Sequence, residues 1–159
     1  MKKQLIIAVA AAYAALAGLA GAQAAEFGKQ KPIEVIVQLS TKSGELAITP
    51  SNLMLQTGKL YRLVINNPSS STHYLSVPRF GSAVRTAKID VQGGVVNRTG
   101  FQLVARSGAT LSYKVQEIEL RPGGMAQWTF TPVQTGRYKM GCGVPAHAQA
   151  GMVSHILVN

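Results

Sequence analysis

The sequence predicts an all-β fold, a sandwich of short strands with an elaborated, basic loop region in its middle. Three observations predict it. Apolar and polar residues alternate along Ile33 to Leu39 (IEVIVQL) and, less strictly, along Leu60 to Ile65 (LYRLVI). Both runs are rich in the branched residues that suit a half-buried pleated surface. Clusters of Gly, Pro, Asn and Ser punctuate these and later runs at short intervals, the spacing of antiparallel sandwiches or barrels.

Taken in order, the chain opens with Lys2 and Lys3, an Ala-rich apolar run from Leu5 to Ala20, and Ala22-Gln23-Ala24, the small-x-small form that signal peptidase reads. Residues 1–24 are therefore expected to be a secretory signal peptide cleaved before Ala25, and the protein to be periplasmic. The run is too rich in alanine and glycine for a membrane anchor, which needs about 20 strongly apolar residues. Residues 25–159 are expected to form one domain, large enough for a sandwich core without disulfides.

The first strand expected is Ile33 to Leu39. Turn clusters at Thr49 to Asn52 and Gln56 to Lys59 flank a short apolar piece, Leu53 to Leu55, and Leu60 to Ile65 is the next strand. The stretch from about Pro78 to Ala109 holds five glycines, with Arg79, Arg85, Lys88, Arg98 and Arg106 against only Asp90. It reads as the basic loop region, with short strands near Ala87 to Val91 and Phe101 to Val104 and room for a short helix. Leu111 to Leu120, Ala126 to Thr131, Gly136 to Met140 and Val153 to Val158 complete the strands, broken by Arg121-Pro122-Gly123-Gly124 and by Pro132 to Thr135.

Sixteen Lys and Arg against six Asp and Glu give a net charge of +10. Loss of residues 1–24 removes Lys2 and Lys3 and no acid, leaving +8. That excess favours acidic partners or an anionic membrane surface. Nucleic acid is not expected, because no basic run interleaves with aromatics. The single cysteine, Cys142, excludes an intrachain disulfide, and an exported thiol is protected either by burial or by a metal bond.

The neighbours of that thiol decide between the two. In Gly141-Cys142-Gly143-Val144-Pro145-Ala146-His147-Ala148-Gln149-Ala150-Gly151-Met152, thiol, imidazole and thioether fall at five-residue intervals in one loop between the last two strands. Sulfur favours reduced copper and nitrogen accommodates oxidised copper, so this graded set suits one copper ion that changes oxidation state. A second imidazole is needed, and the chain offers His73 and His155. In the closing strand His155 falls on the opposite face from Met152, which leaves His73, just after the turn Pro68 to Thr72.

The C-terminal third resembles the cupredoxins, the type 1 blue copper proteins, most closely the plastocyanin and azurin kind. The resemblance rests on Thr135-Gly136-Arg137-Tyr138, the Cys-His-Met loop, Gly151-Met152-Val153 and the closing Val158-Asn159. Upstream, Pro50 through Gly58 to Asn66-Asn67 and His73 are similar to the family's first-ligand region. The resemblance implies a Greek-key sandwich of two sheets with copper near one end, held by His73, Cys142, His147 and Met152. It implies a monomeric one-electron carrier cycling between Cu(I) and Cu(II), not an enzyme, exchanging electrons with a cytochrome, reductase or oxidase complex that presents an acidic docking surface. The alternative is a copper carrier or chaperone that delivers the ion itself. Two positions depart from the pattern. Tyr74 follows His73 where many members have an Asn that ties the ligand loops together, and Gly141 precedes Cys142 where plastocyanin-type members place an aromatic.

Overall fold

A computed structural model describes residues 30–103 and 111–159. The expected signal peptide, residues 1–24, lies outside the described residues, as does the end of the loop region from Val104 to Ala109. Pro32–Asn159 forms one compact unit. Among the described residues no helix is long and apolar enough to cross a membrane.

Among the described residues nine strands and two short helices follow one another: β1 Ile33–Leu39, β2 Ile48–Thr49, β3 Asn52–Leu55, β4 Tyr61–Asn66, β5 His73–Ser76, α1 Pro78–Ser82, β6 Val84–Leu103, β7 Leu111–Pro132, β8 Gly136–Cys142, α2 Pro145–Gln149 and β9 Val153–Val158. The all-β class is as expected. The two halves of the sandwich are, however, hydrogen-bonded into one path, β2-β1-β4-β7-β5-β8-β9-β3, with β6 beside β7. The long strand β7 joins them. Its C-terminal half pairs with β4 (Leu63 opposite Trp128) and its N-terminal half with β5 (His73 opposite Leu120). Two pairs are parallel rather than antiparallel, β1 with β4 and β3 with β9, because intervening elements carry the chain back to the same end.

The middle of the chain is more regular than its composition suggests. In place of a loop region with two short strands, α1 leads into a single strand of 20 residues, β6, laid against the 22 residues of β7. The glycines that read as turns are bulges. Gly93 and Gly123 adopt φ of +68° and +73°, and the register jumps there from Gln92 opposite Met125 to Gly94 opposite Leu120. A Cβ on Gly124 would lie 2.6 Å from the Gly93 carbonyl oxygen, so glycine lets the two strands approach where β7 passes between the sheet halves.

Alternation builds the core. Tyr61, Leu63 and Ile65 of β4 face inward, as do Val37 and Leu39 of β1 and Ile156 and Val158 of β9. They meet Leu75, Ile118, Leu120, Ala126, Met140 and Met152 in one cluster. Pro at the first position starts α1, whose Phe80 is driven into the centre. There it meets Trp128, Phe130 and Tyr138 edge-on, with ring centroids 5.3–5.7 Å apart. The Trp128 indole N–H donates to Thr86 Oγ1 at 3.1 Å. Among the described residues no buried side-chain nitrogen or oxygen lacks a partner.

Candidate metal centre

Three chain segments bring the expected residues to one end of the sandwich. His73 opens β5 and is 1 % exposed; Cys142 closes β8 and is 6 % exposed. His147 sits in α2, half-buried, and the helix starts at Pro145, whose missing N–H costs nothing at that position. Cys142 Sγ lies 4.0 Å from His73 Nδ1 and 3.5 Å from His147 Nδ1. All three donor atoms fall within 4.8 Å of one another. The imidazole planes are tilted by 59°, with centroids 5.3 Å apart.

Met152 is fully buried, and its main chain clamps the loop. Its N–H donates to the His147 carbonyl at 3.0 Å, and its carbonyl accepts from the Cys142 N–H at 3.0 Å. Gly151, at φ +98°, makes the bend that returns the chain into β9. Beyond it Ser154, Ile156 and Val158 point inward, and His155 is exposed outside the cluster, as the two-residue period requires.

The expected Asn tie between the ligand loops is replaced twice. The Gly143 N–H donates to the Tyr74 carbonyl at 2.7 Å, so the main chain at Tyr74 joins the first-ligand strand to the Cys142 loop. The second tie involves Asn67, named above only as part of the first-ligand region, and Ser69, both buried. The Asn67 amide nitrogen donates among the carbonyls of Ser71, Leu120 and Arg121 at 2.7, 2.9 and 3.1 Å. That fixes the amide, leaving Oδ1 to accept from the Ser69 hydroxyl at 2.8 Å. Ser69 Oγ, with the Asn67 Oδ1 and the Ser71 carbonyl at 3.2 Å as acceptors for its own proton, lies 3.0 Å from His73 Nε2 and is placed to accept an N–H from it. That pairing suits the tautomer whose Nδ1 lone pair faces Cys142 Sγ. The only sequence signal for this relay is the polar run Ser69-Ser70-Ser71 ahead of a buried histidine, which does not say which serine acts.

Electrostatics favour the same state. Burial, and secondarily the neighbouring His147, push the His73 pKa below its ordinary 6.5. A neutral imidazole is what a metal ion requires. An ion bound at roughly 2.0–2.3 Å by nitrogen and sulfur needs donors within about 4.6 Å of one another, which the two sulfur–nitrogen separations satisfy. Soft thiolate with two imidazoles is a donor set for copper or zinc, and a buried methionine at the loop's end favours copper.

No family model matches the chain, and no curated protein matches it. Solved structures are similar to it. A multi-copper oxidase from Pediococcus acidilactici aligns at TM-score 0.51 and 10% identity, over 82% of this chain and 27% of the oxidase. The chain thus spans about a quarter of that enzyme. An auracyanin from Roseiflexus castenholzii aligns at TM-score 0.48 and 19% identity, over 82% of this chain and 99% of its own. Auracyanin A of Chloroflexus aurantiacus, described as a blue copper protein, aligns at TM-score 0.47 and 16% identity, over 81% and 100%.

Proposed function

We propose that this cupredoxin-fold chain is a periplasmic one-electron carrier with one type 1 copper held by His73, Cys142, His147 and Met152. The observation that carries the reading is the convergence of His73 Nδ1, Cys142 Sγ and His147 Nδ1 within 4.8 Å. When bound, copper supplies a one-electron couple between Cu(I) and Cu(II). The Cys142 thiolate and the two imidazoles would be its strong donors, and the Met152 thioether a weak donor that would tune the potential.

The chain's own residues favour moving an electron over releasing an ion. His73 and Cys142 are almost fully buried, and His73 is braced through Ser69 and Asn67. Main-chain hydrogen bonds lock Cys142 to Met152 and Met152 to His147. A frame so braced changes little between oxidation states, which keeps reorganisation small. The chain has three histidines, and with His155 on the outer face none is left to hold a second, catalytic copper. Export rests on the signal-like residues 1–24, and an exported protein beginning at Ala25 is the expected product.

Adding Cu(II) to the purified domain tests the assignment. An intense visible thiolate-to-copper band is expected, bleached by reductant and absent in Cys142→Ser. Copper binding without that band would defeat it. The delivery alternative is tested in the same sample. A carrier of ions surrenders its copper to an acceptor protein on reduction, whereas an electron carrier retains it.

A further inference from the structure

Behind Cys142, on the outer face of the sheet, lies a recess of about 450 Å³ whose lining includes Arg79, Arg137, Lys139 and His155 together with Gly141 and Cys142. Alternation along β8 creates it. Met140 and Cys142 point inward, so Arg137, Lys139 and Gly141 point out. Lys139 stands opposite His155 across the β8–β9 ladder, and Arg79 reaches in from α1. The ion pairs among the described residues are Arg62–Glu34, Lys88–Asp90 and Arg121–Glu119, so the recess cations are not neutralised by them. One acid, Glu117, lies over Gly143 at the rim.

Two further observations give the recess a direction. Gly141 has no positive φ, and a Cβ there would meet only the Met152 carbonyl at 3.5 Å and Val153 Cγ2 at 3.7 Å, ordinary contacts. A side chain would fit, so packing does not require glycine; its absence keeps the recess wall beside Cys142 free of a side chain at 141. The helix that carries His147, Pro145–Gln149, and its flanks Val144 and Ala150 hold no Lys, Arg, Asp or Glu, and only Ala148 of them reaches the recess. The cations that could steer an acidic partner flank the Cys142 side instead.

We propose that this recess is the docking site for an acidic segment of a one-electron redox protein, which exchanges its electron through the Cys142 main chain. The inference rests on the electron-carrier reading and adds the face and the partner chemistry. One electron leaves the reduced carrier and reduces the oxidised partner by one; no bond forms and no proton moves.

The docking part is tested without copper. Hexaglutamate peptide is titrated into the metal-free, ¹⁵N-labelled domain, and backbone amide shifts are followed. Shifts centred on Ser76, Arg79, Arg137, Lys139 and His155 are expected, with binding weakened at least about tenfold in Arg137→Glu/Lys139→Glu. The charge-matched control Lys42→Glu/Lys59→Glu, on exposed turns elsewhere, is expected to change binding less than about twofold. Shifts centred on Val144 to His147, or equal losses in both double variants, overturn the proposal. The electron part uses the copper-loaded domain with an acidic c-type cytochrome. The rate is expected to fall at least about tenfold in Arg137→Glu/Lys139→Glu with the visible band unchanged. An unchanged rate overturns the route through Cys142. A domain that never develops the band defeats the carrier reading, while the peptide titration still decides whether the recess takes acidic segments.

Discussion

At the scale of single residues, the centre depends on a proton whose position is set through Asn67 and Ser69. Three carbonyls fix the Asn67 amide, Asn67 accepts from the Ser69 hydroxyl, and Ser69 favours one tautomer of His73. Ser69→Ala leaves His73 Nε2 without its buried partner and Asn67 Oδ1 with the backbone N–H of residue 69 alone. The metal-free protein is expected to lose about 1–3 kcal/mol in urea denaturation, and copper affinity to fall about 10–100-fold. Ser69→Thr, which keeps the hydroxyl, should restore both, and histidine ¹⁵N shifts should show His73 losing its single tautomer only in the alanine variant. The depressed pKa of His73 adds a pH dependence. Below pH 6.5 the unfolded chain takes up a proton that the folded protein resists. Stability of the metal-free domain is therefore full above that value and declines as pH falls through it. Denaturation midpoints between pH 5 and 8 should show this slope, and His73→Gln should flatten it.

The ligand candidates were legible because a metal set leaves a spacing in the chain. Cys142, His147 and Met152 carry theirs in one loop, and the two-residue period of β9 removes His155. Asn67 and Ser69 were not legible, since their role depends on how the turn from Pro68 to Thr72 folds against the carbonyls of Leu120 and Arg121, more than fifty residues away.

At the scale of elements, strands with clean alternation were read nearly to the residue: β1 and β9 begin and end where the pattern does. The middle was misread for a physical reason. Glycines in Gln92-Gly93-Gly94 and Pro122-Gly123-Gly124 look like chain reversals, but when two such runs lie opposite each other they let two long strands bulge together. Pairing partners, which local sequence does not encode, decide between the two outcomes. The helix α1 has a similar hidden purpose, to carry Phe80 into the aromatic cluster. Phe80→Ala removes a fully buried ring touching Trp128, Phe130 and Tyr138 and is expected to cost about 3–5 kcal/mol. Thermal or urea denaturation measures it.

At the scale of the whole molecule, the fold separates two surfaces around one centre. His147 emerges through an uncharged helix, while Arg79, Arg137 and Lys139 surround the outer side of Cys142. Net charge alone could not reveal that these three cations gather on the Cys142 side. Exchange with an acidic redox protein should accordingly slow as ionic strength rises, since exposed charges are screened over about 10 Å at 0.1 M salt. A rate independent of salt would contradict electrostatic docking. The central claim, that the His73–Cys142–His147 cluster carries single electrons, is tested most directly by spectroelectrochemical titration of the copper-loaded domain. The visible band should vanish and return reversibly with a slope of about 59 mV per decade, the one-electron value. No reversible couple, or loss of copper from the protein on reduction, would contradict the account.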